Sequence, residues 1–234
     1  MKTFFFTCMV TLLSATYTGV YANVLVSIEK ELTLEELKSL NNGELILKTE
    51  EVKDSPWPII TYYALVNATP LDCIALFAGY DIQKDYVPKV IKSKPIKHIT
   101  STDVLTEYEL SIPFPLPNAH YVHGAKIFHH GSDYETQWYM VESSSAEVVN
   151  GSAYFKDFSG KTLFKYRSFI KPKSALGSFV KSFMLKDIKT TITAIVAFIE
   201  KSKRENSPLI PKYSEFITRA LNGEFVYQTI IDKK

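Results

Sequence analysis

The sequence predicts an α+β fold in which a curved antiparallel sheet of about seven strands wraps around one long C-terminal helix. Between residues 90 and 170, strand-like segments follow one another with short polar connections, which indicates antiparallel hairpins. A further strand-like segment precedes them at 59–67. The helix predicted after Lys173 carries a long apolar stripe, and the sheet is the one surface large enough to cover it.

Length and composition favour one substantial globular domain. The chain has 234 residues, of which 46% are hydrophobic and 22% charged, so it can bury a real core. The formal net charge is +2, from 27 basic and 25 acidic side chains. Because this near balance creates no strong positive field, a nucleic-acid partner is not expected.

The N-terminus is predicted to be a secretory signal peptide. Lys2 is the first charge and Glu29 the next, and the residues at 4–13 are largely apolar. The segment ends with Val20, Tyr21 and Ala22, which places small residues at the positions before a cleavage site. We therefore expect cleavage after Ala22 and an exported protein, periplasmic or secreted. An uncleaved anchor is the alternative, although the apolar run is shorter than the ~20 residues of a spanning helix.

Short helices and strands are expected before the main group of strands. Thr33 and Glu36 form a capping box, which predicts a short helix within an N-terminal segment at 23–42. The pair Thr69-Pro70 is typical of a helix start. In chain order, the predicted strands are 44–52 and 59–67, and the predicted helices that follow them are 70–79 and 81–86.

Six more strands lead to the long helix. Their predicted positions are 90–99, 104–112, 121–130, 134–142, 149–157 and 162–170. The helix then extends to about residue 203, with apolar residues at spacings of three and four from Leu176 to Ile199. Residues 204–234 form a C-terminal tail with a short helix that ends near Leu221.

Local motifs in this order resemble the START-like (SRPBCC) superfamily, which has the helix-grip fold. The superfamily includes START lipid-transfer domains, plant pathogenesis-related allergens and polyketide cyclases. The resemblance covers about residues 43–203, although Ala119-His120 stands where START proteins usually have an Arg-Asp pair. The matching motifs are Asn67-Ala68-Thr69-Pro70 followed by Phe77, the passage at 80–88, Pro113-Phe114-Pro115, Gly160-Lys161-Thr162 and Ser174-Ala175-Leu176-Gly177.

The resemblance implies an internal cavity for a hydrophobic ligand. Strand alternation and helix spacing indicate which side chains face that cavity. The alternative is that the same aromatic stripes fill a closed core. The predicted lining residues are Tyr108, Leu110, His123, Trp138, Met140, Phe164, Tyr166, Phe179, Phe183, Ile188 and Ile192.

Catalytic and metal-binding motifs are not found in the sequence. His120 and His123 lie three apart on a predicted strand and should point to opposite faces, so no metal site is expected. Cys73 is the one cysteine of the mature chain, which excludes an internal disulfide. We expect no cofactor and no catalytic residues.

The sequence therefore predicts a binding or transfer protein for a lipid or other hydrophobic small molecule, and not an enzyme. Lysines on the long helix suggest a transient contact with a membrane. Two alternatives are a cyclase-like enzyme that uses Tyr and His in the same cavity, and a secreted interaction protein with a closed core.

Overall fold

The structure is a computed structural model that describes residues 28–53, 55, 57–112, 117–173 and 177–228, with the backbone alone for 177–184. The predicted signal peptide, the proline-rich loop at 113–116 and the start of the long helix at 174–176 lie outside the described residues. None of the helices within the described ranges is long and apolar enough to cross a bilayer.

Eight antiparallel strands of the described chain form one curved sheet. The residues that form them are largely those expected from alternation, and the longest strands extend a few residues beyond the prediction. The strands are β1 (Ile46–Glu50), β2 (Ile59–Val66), β3 (Val90–His98), β4 (Asp103–Leu110), β5 (Ala119–His130), β6 (Asp133–Ser143), β7 (Ala146–Phe158) and β8 (Lys161–Pro172).

Strand β1 raises the count above the expected seven, because it pairs with β2 along its whole length. The spatial order is β1-β2-β8-β7-β6-β5-β4-β3, so β1 and β3 are the two edges. The edge strand β3 contains Pro95, which has no backbone N–H and is tolerated at a sheet edge. The turn between β7 and β8 has positive φ at Ser159 and Gly160, as a tight hairpin requires.

Five α-helices and one short 3-10 helix lie among the described residues. Thr33 and Thr69 both form capping boxes, with Glu36 and Asp72 respectively, as the sequence motifs predict for Thr33. The 3-10 helix is Ile28–Glu31, and the α-helices are α1 (Leu34–Asn41), α2 (Pro70–Phe77), α3 (Gln83–Tyr86), α4 (Gly177–Arg204) and α5 (Leu209–Leu221).

The main core lies between the concave face of the sheet, α2 and the second half of α4. Phe77 of α2 packs edge-on against Phe155 and Phe164, with ring centroids 5.4 and 5.9 Å apart. Ile192 and Ile199 of α4 are fully buried in the same cluster. This end of the interior is therefore closed by aromatic and branched side chains.

The opposite face of the sheet is covered by the N-terminal segment. Leu40 of α1 belongs to a second buried cluster with Tyr63 and Leu163. Lys165 Nζ donates to Glu31 Oε1 at 2.6 Å and joins the 3-10 helix to β8. Strand β2 is thus buried on both faces, which explains its nearly unbroken run of apolar residues.

Helix α5 is part of the main core, although the sequence placed it in a separate tail. Tyr213 and Ile217 are buried against α2. The Tyr213 hydroxyl donates to Asp81 Oδ1 at 2.8 Å, and the Tyr227 hydroxyl donates to the carbonyl oxygen of Ala78 at 2.6 Å. The residues after α4 therefore hold α2 in place from the outside.

Candidate functional site

A cavity of about 1230 Å³ lies between the concave face of the sheet and α4. Its walls come from β3 to β8, from residues 187–195 of α4, and from the region of α2 and α3. The volume is above the range of ~300–1000 Å³ that is usual for small-molecule sites. The cavity can therefore hold a molecule as large as a lipid.

One end of the cavity is its mouth. Strand register brings several strand ends together there, with Leu110 opposite Ala119 and Ala146 opposite Pro172. Lining residues at this end are exposed, among them Asn118 and Ser145. The ionisable lining residues that the structure describes, apart from tyrosines and His123, are Lys89, Glu109, His120, Lys173 and Asp187, at or near this end.

Three aromatic side chains of β4 and β5 stack along one wall. The rings of Tyr108 and Tyr121 have centroids 5.3 Å apart, and those of Tyr121 and His123 are 4.4 Å apart. The Tyr108 hydroxyl donates to Gln83 Oε1 at 2.7 Å, and Gln83 Nε2 donates to the carbonyl oxygen of Phe77 at 2.8 Å. Gln83 therefore fixes Tyr108 to the end of α2.

Trp138 and Tyr166 form a second aromatic wall, with ring centroids 5.0 Å apart. Gly151 lies directly opposite Trp138 in the register of β6 and β7. A Cβ atom at this position would collide with the indole of Trp138 and with the carbonyl oxygen of Arg167. The missing side chain of Gly151 therefore lets the indole lie against the sheet.

Several buried polar atoms of the lining have no hydrogen-bond partner among the described residues. They are Tyr80 OH, Thr106 Oγ1, His123 Nε2, Thr136 Oγ1 and Ser168 Oγ. Tyr80 lies near Thr136, and Tyr166 near Ser168, close enough for a weak interaction but outside hydrogen-bonding geometry. Since a buried polar group without a partner is costly, these atoms mark positions where a ligand can bond.

Burial keeps the ionisable groups of the inner cavity neutral. Loss of hydration lowers the pKa of His123 to about 4 and raises the pKa of Tyr166 to about 12. The pKa values of Tyr108 and Tyr121 are raised for the same reason. Part of the His123 and Tyr121 rings is accessible because it borders the cavity, although both rings lie deep in the fold.

The structure brings together six of the eleven predicted lining residues in the cavity wall: Tyr108, Leu110, His123, Trp138, Tyr166 and Ile188. Phe164 and Ile192 are placed differently, since both are fully buried in the main core beside Phe77. Met140 pairs with His123 on the neighbouring strand but is not among the described wall residues. The side chains of Phe179 and Phe183 lie outside the described part of the chain.

Sequence reasoning missed several wall residues. Tyr121 shares a strand face with His123, so alternation contained the signal for it. Tyr80, Gln83 and Tyr86 enter from the region between α2 and β3, where no periodic pattern indicates direction. Trp57 lines the cavity from the segment before β2.

The part of the chain that the structure describes offers little for nucleophilic catalysis or metal binding. No cluster of three or more His, Cys, Asp or Glu side chains there is placed to bind a metal ion. Cys73 is buried in α2, and burial raises the pKa of its thiol to about 12. The thiolate form is therefore strongly disfavoured at neutral pH.

The fold of the protein is found in many solved structures. No protein-family model matches the sequence, and no curated protein matches it either. One similar structure is a STAR-related lipid transfer protein from Xanthomonas axonopodis, with a TM-score of 0.61 and 14% identity. The match covers 66% of this chain and 93% of that protein.

Two human proteins have the same architecture. StAR-related lipid transfer protein 5 matches with a TM-score of 0.55 and 12% identity, over 68% of this chain and 83% of that one. STARD10 matches with a TM-score of 0.54 and 13% identity, over 79% of this chain and 85% of that one. The chain therefore has the START-like helix-grip fold.

Proposed function

We propose that the protein is an exported binding or transfer protein that holds a lipid or another hydrophobic small molecule in the cavity without chemically changing it. The observation that carries this proposal is the cavity of about 1230 Å³ with its aromatic and apolar wall. Moving apolar surface from water into such a wall gains ~25 cal/mol per Å². Two of the similar structures are named as lipid transfer proteins, which supports the same ligand class.

The alternatives fit the interior less well. A closed core, as in a pure interaction protein, does not agree with the volume of the cavity. A cyclase-like enzyme would use His123 and a tyrosine as base and acid, and such groups work best with pKa values near the working pH. Burial moves the pKa of His123 to about 4 and raises the pKa of Tyr108, so neither group is tuned for proton transfer near neutral pH.

Binding can be measured with the tryptophans of the protein itself. The sequence contains two, Trp57 and Trp138, and both line the cavity. We expect a hydrophobic fluorophore that absorbs tryptophan emission, such as a pyrene, to quench their fluorescence with a saturable 1:1 response. Native mass spectrometry of the purified protein should show a co-purifying apolar molecule or the added fluorophore. A protein that gives neither signal would contradict the proposal.

A matched pair of variants on α4 tests whether the ligand occupies this cavity. Thr191 lines the cavity, whereas Thr193 is exposed on the same helix. Thr191→Phe fills part of the space and should weaken pyrene binding at least about tenfold. Thr193→Phe should leave the affinity unchanged. Equal effects of the two changes would place the bound molecule outside the cavity.

The proposal also includes export and a transient membrane contact. The apolar run at residues 4–13 and the small residues before Asn23 support export, and the mass of the protein recovered outside the cytoplasm should correspond to a chain that begins at Asn23. Lys186 and Lys189 are exposed on α4, and Lys173 is exposed at the mouth of the cavity. We expect the protein to co-sediment with anionic vesicles more than with neutral ones, and less so at high salt.

A further inference from the structure

The polar groups of the inner cavity differ in kind from those of its mouth. Lys89, Glu109 and Asp187 lie toward the mouth, whereas the described polar groups farther inside are hydroxyls, one amide, one imidazole and the indole N–H of Trp138. Deep within the wall, Thr106 and His123 face each other directly across β4 and β5. The inner wall therefore offers hydrogen bonds without a formal charge.

Thr106 and His123 both have unused hydrogen-bonding capacity. Thr106 Oγ1 and His123 Nε2 are buried, and neither has a hydrogen-bond partner among the described residues. Thr106 is 1% exposed, so bulk water does not reach its hydroxyl. The Tyr108 hydroxyl gives its hydrogen to Gln83, and its oxygen lies close enough to Thr106 to accept a weak interaction from the threonine hydroxyl, which leaves Thr106 Oγ1 available as an acceptor. Both residues line the cavity, so their unused hydrogen-bonding capacity lies in its wall.

We infer that the ligand carries an uncharged oxygen, a hydroxyl or a carbonyl, at its inner end and that Thr106 and His123 hydrogen-bond to this oxygen. The inference rests on the proposed function and adds the chemical class of the ligand. A threonine hydroxyl donates one hydrogen bond and accepts others, and a neutral imidazole has one donor and one acceptor nitrogen. A hydroxyl group on the ligand can satisfy both residues at once, and a carbonyl can accept from both.

A charged inner end does not fit the same site. The described residues around Thr106 and His123 include no lysine or arginine, so a carboxylate or phosphate would lose its hydration without gaining a counter-charge. The lowered pKa of His123 also keeps the imidazole neutral at physiological pH. The site therefore selects neutral lipid-like molecules over fatty acids or phospholipids that would enter with the head group first.

Three probes with one fluorophore test this selection: 1-pyrenebutanol, 1-butylpyrene and 1-pyrenebutyrate. Each quenches Trp57 and Trp138 when it enters the cavity, and the three differ only at the end of a short chain. At neutral pH, we expect the alcohol to bind about tenfold more tightly than the hydrocarbon, and the carboxylate more weakly than both. If the probes bind equally well, the inference is overturned while the proposed function stands. If no probe binds, the proposed function itself fails.

Variants show whether the two residues cause the preference. Thr106→Val and His123→Leu should each remove most of the preference for the alcohol while butylpyrene still binds. Ser168→Ala is the matched control, because it deletes another unpartnered hydroxyl of the same cavity. Thr106→Ser keeps the hydroxyl and should keep the preference, which separates the chemistry from a loss of folding. The inference fails if Thr106→Val and His123→Leu still bind the alcohol more tightly than the hydrocarbon. It also fails if Ser168→Ala removes this preference, because the polar contact would then lie elsewhere.

Discussion

The two ends of the interior are built from the same sheet and the same helix, yet one is packed and the other is hollow. At the packed end, the rings of Phe155 and Phe164 stack at 4.9 Å, and Phe77 closes over both. The void beside α2 and α5 is about 10 Å³, whereas the cavity beyond Phe77 is about 1230 Å³. Trp138 and Tyr166 are also aromatic, but they line the cavity and are not packed on all sides.

Helix α2 accounts for the difference. Its buried side chains fill the concave face of the sheet as far as Phe77, which lies 6.3 Å from the ring of Trp138. Beyond that point the cavity separates the sheet from the described part of α4. The fold therefore gains its stability at one end and keeps the other end free for a ligand, so the two ends should respond differently to substitution.

The largest difference is expected from a matched pair on β8. Phe164 and Tyr166 share the inner face of this strand, but Phe164 is fully buried and Tyr166 borders the cavity. Phe164→Ala should lower the free energy of unfolding by about 3–5 kcal/mol, because it leaves a hole in a packed cluster. Tyr166→Ala should cost less than about 2 kcal/mol, since one side of its ring already lacks packing partners.

Chemical denaturation of the two variants, with the slope of the transition checked for two-state behaviour, measures this difference. The wild-type protein should be freed of bound ligand first, because a ligand that binds only the folded state adds to the apparent stability. Equal costs at the two positions would mean that the hollow end is as tightly packed as the other.

The second prediction concerns the pH dependence of the hollow end. The imidazole of His123 has a pKa of about 4 in the folded protein and an ordinary value of 6.5. Between these values the unfolded chain binds the proton and the folded protein does not, so the free energy of unfolding falls as the pH falls. The loss should reach about 3 kcal/mol near pH 4, and it should be absent at pH values well above 6.5.

The difference between the denaturation curves of wild type and His123→Gln isolates this contribution from that of the carboxylates, which also become protonated in acid. His129 is exposed near the end of the same strand, so His129→Gln should keep the wild-type dependence. A His123→Gln protein with the full wild-type acid sensitivity would show that His123 is not buried as a neutral group.

Much of this fold follows from periodicity in the sequence. The hairpin strands and the stripe on α4 each have one apolar side and one polar side, and such patterns predict both the element and its buried face. The count of strands and the place of α5 were harder to predict. The positions of β1 and α5 in the fold depend on the elements that they pack against. Tertiary contacts, such as the hydrogen bond from Tyr213 to Asp81, determine those positions.

The cavity itself was less predictable than its walls. Alternation put Phe164 and Tyr166 on one face, but it did not show that Phe77 would pack against the first and not against the second. Likewise, β2 is apolar on both faces, yet the sequence alone did not assign the covering of its outer face to Leu40 and its neighbours. Whether an inward ring is core or cavity wall depends on a third layer that local patterns do not report.

The third prediction tests the close fit of Trp138 on the sheet. Gly151→Ala brings a Cβ atom against the indole and against the Arg167 carbonyl oxygen, which cannot move without the strand. It should cost about 1–3 kcal/mol and shift the tryptophan emission. Gly124→Ala is the outward-facing control, where the added atom meets the exposed ring of Tyr139. Its cost should be about 1 kcal/mol, from the lost hydrogen bond of Tyr139 to Asp103.

A change at the mouth of the cavity should have the smallest effect on stability but a measurable effect on the rate of ligand release. Lys89 Nζ lies 2.5 Å from Asp187 Oδ2 and joins the start of β3 to α4 beside the cavity, and Lys89 adopts a positive φ of 65° there. Because both side chains are about one third exposed, Asp187→Asn should change the free energy of unfolding by less than about 1 kcal/mol. The same change should speed the release of bound 1-pyrenebutanol, since α4 can then move away from β3 more easily.

Glu107→Gln is the matched control for the mouth, because Glu107 pairs with Lys92 at 2.7 Å with similar exposure but does not line the cavity. Stopped-flow displacement of the probe should show faster release in Asp187→Asn and the wild-type rate in Glu107→Gln. Release that is equally fast in both variants would reflect a general loosening of the edge strand. Release that is unchanged in both would mean that the ligand leaves without separating α4 from β3, by a route on the opposite side of the mouth near Lys173.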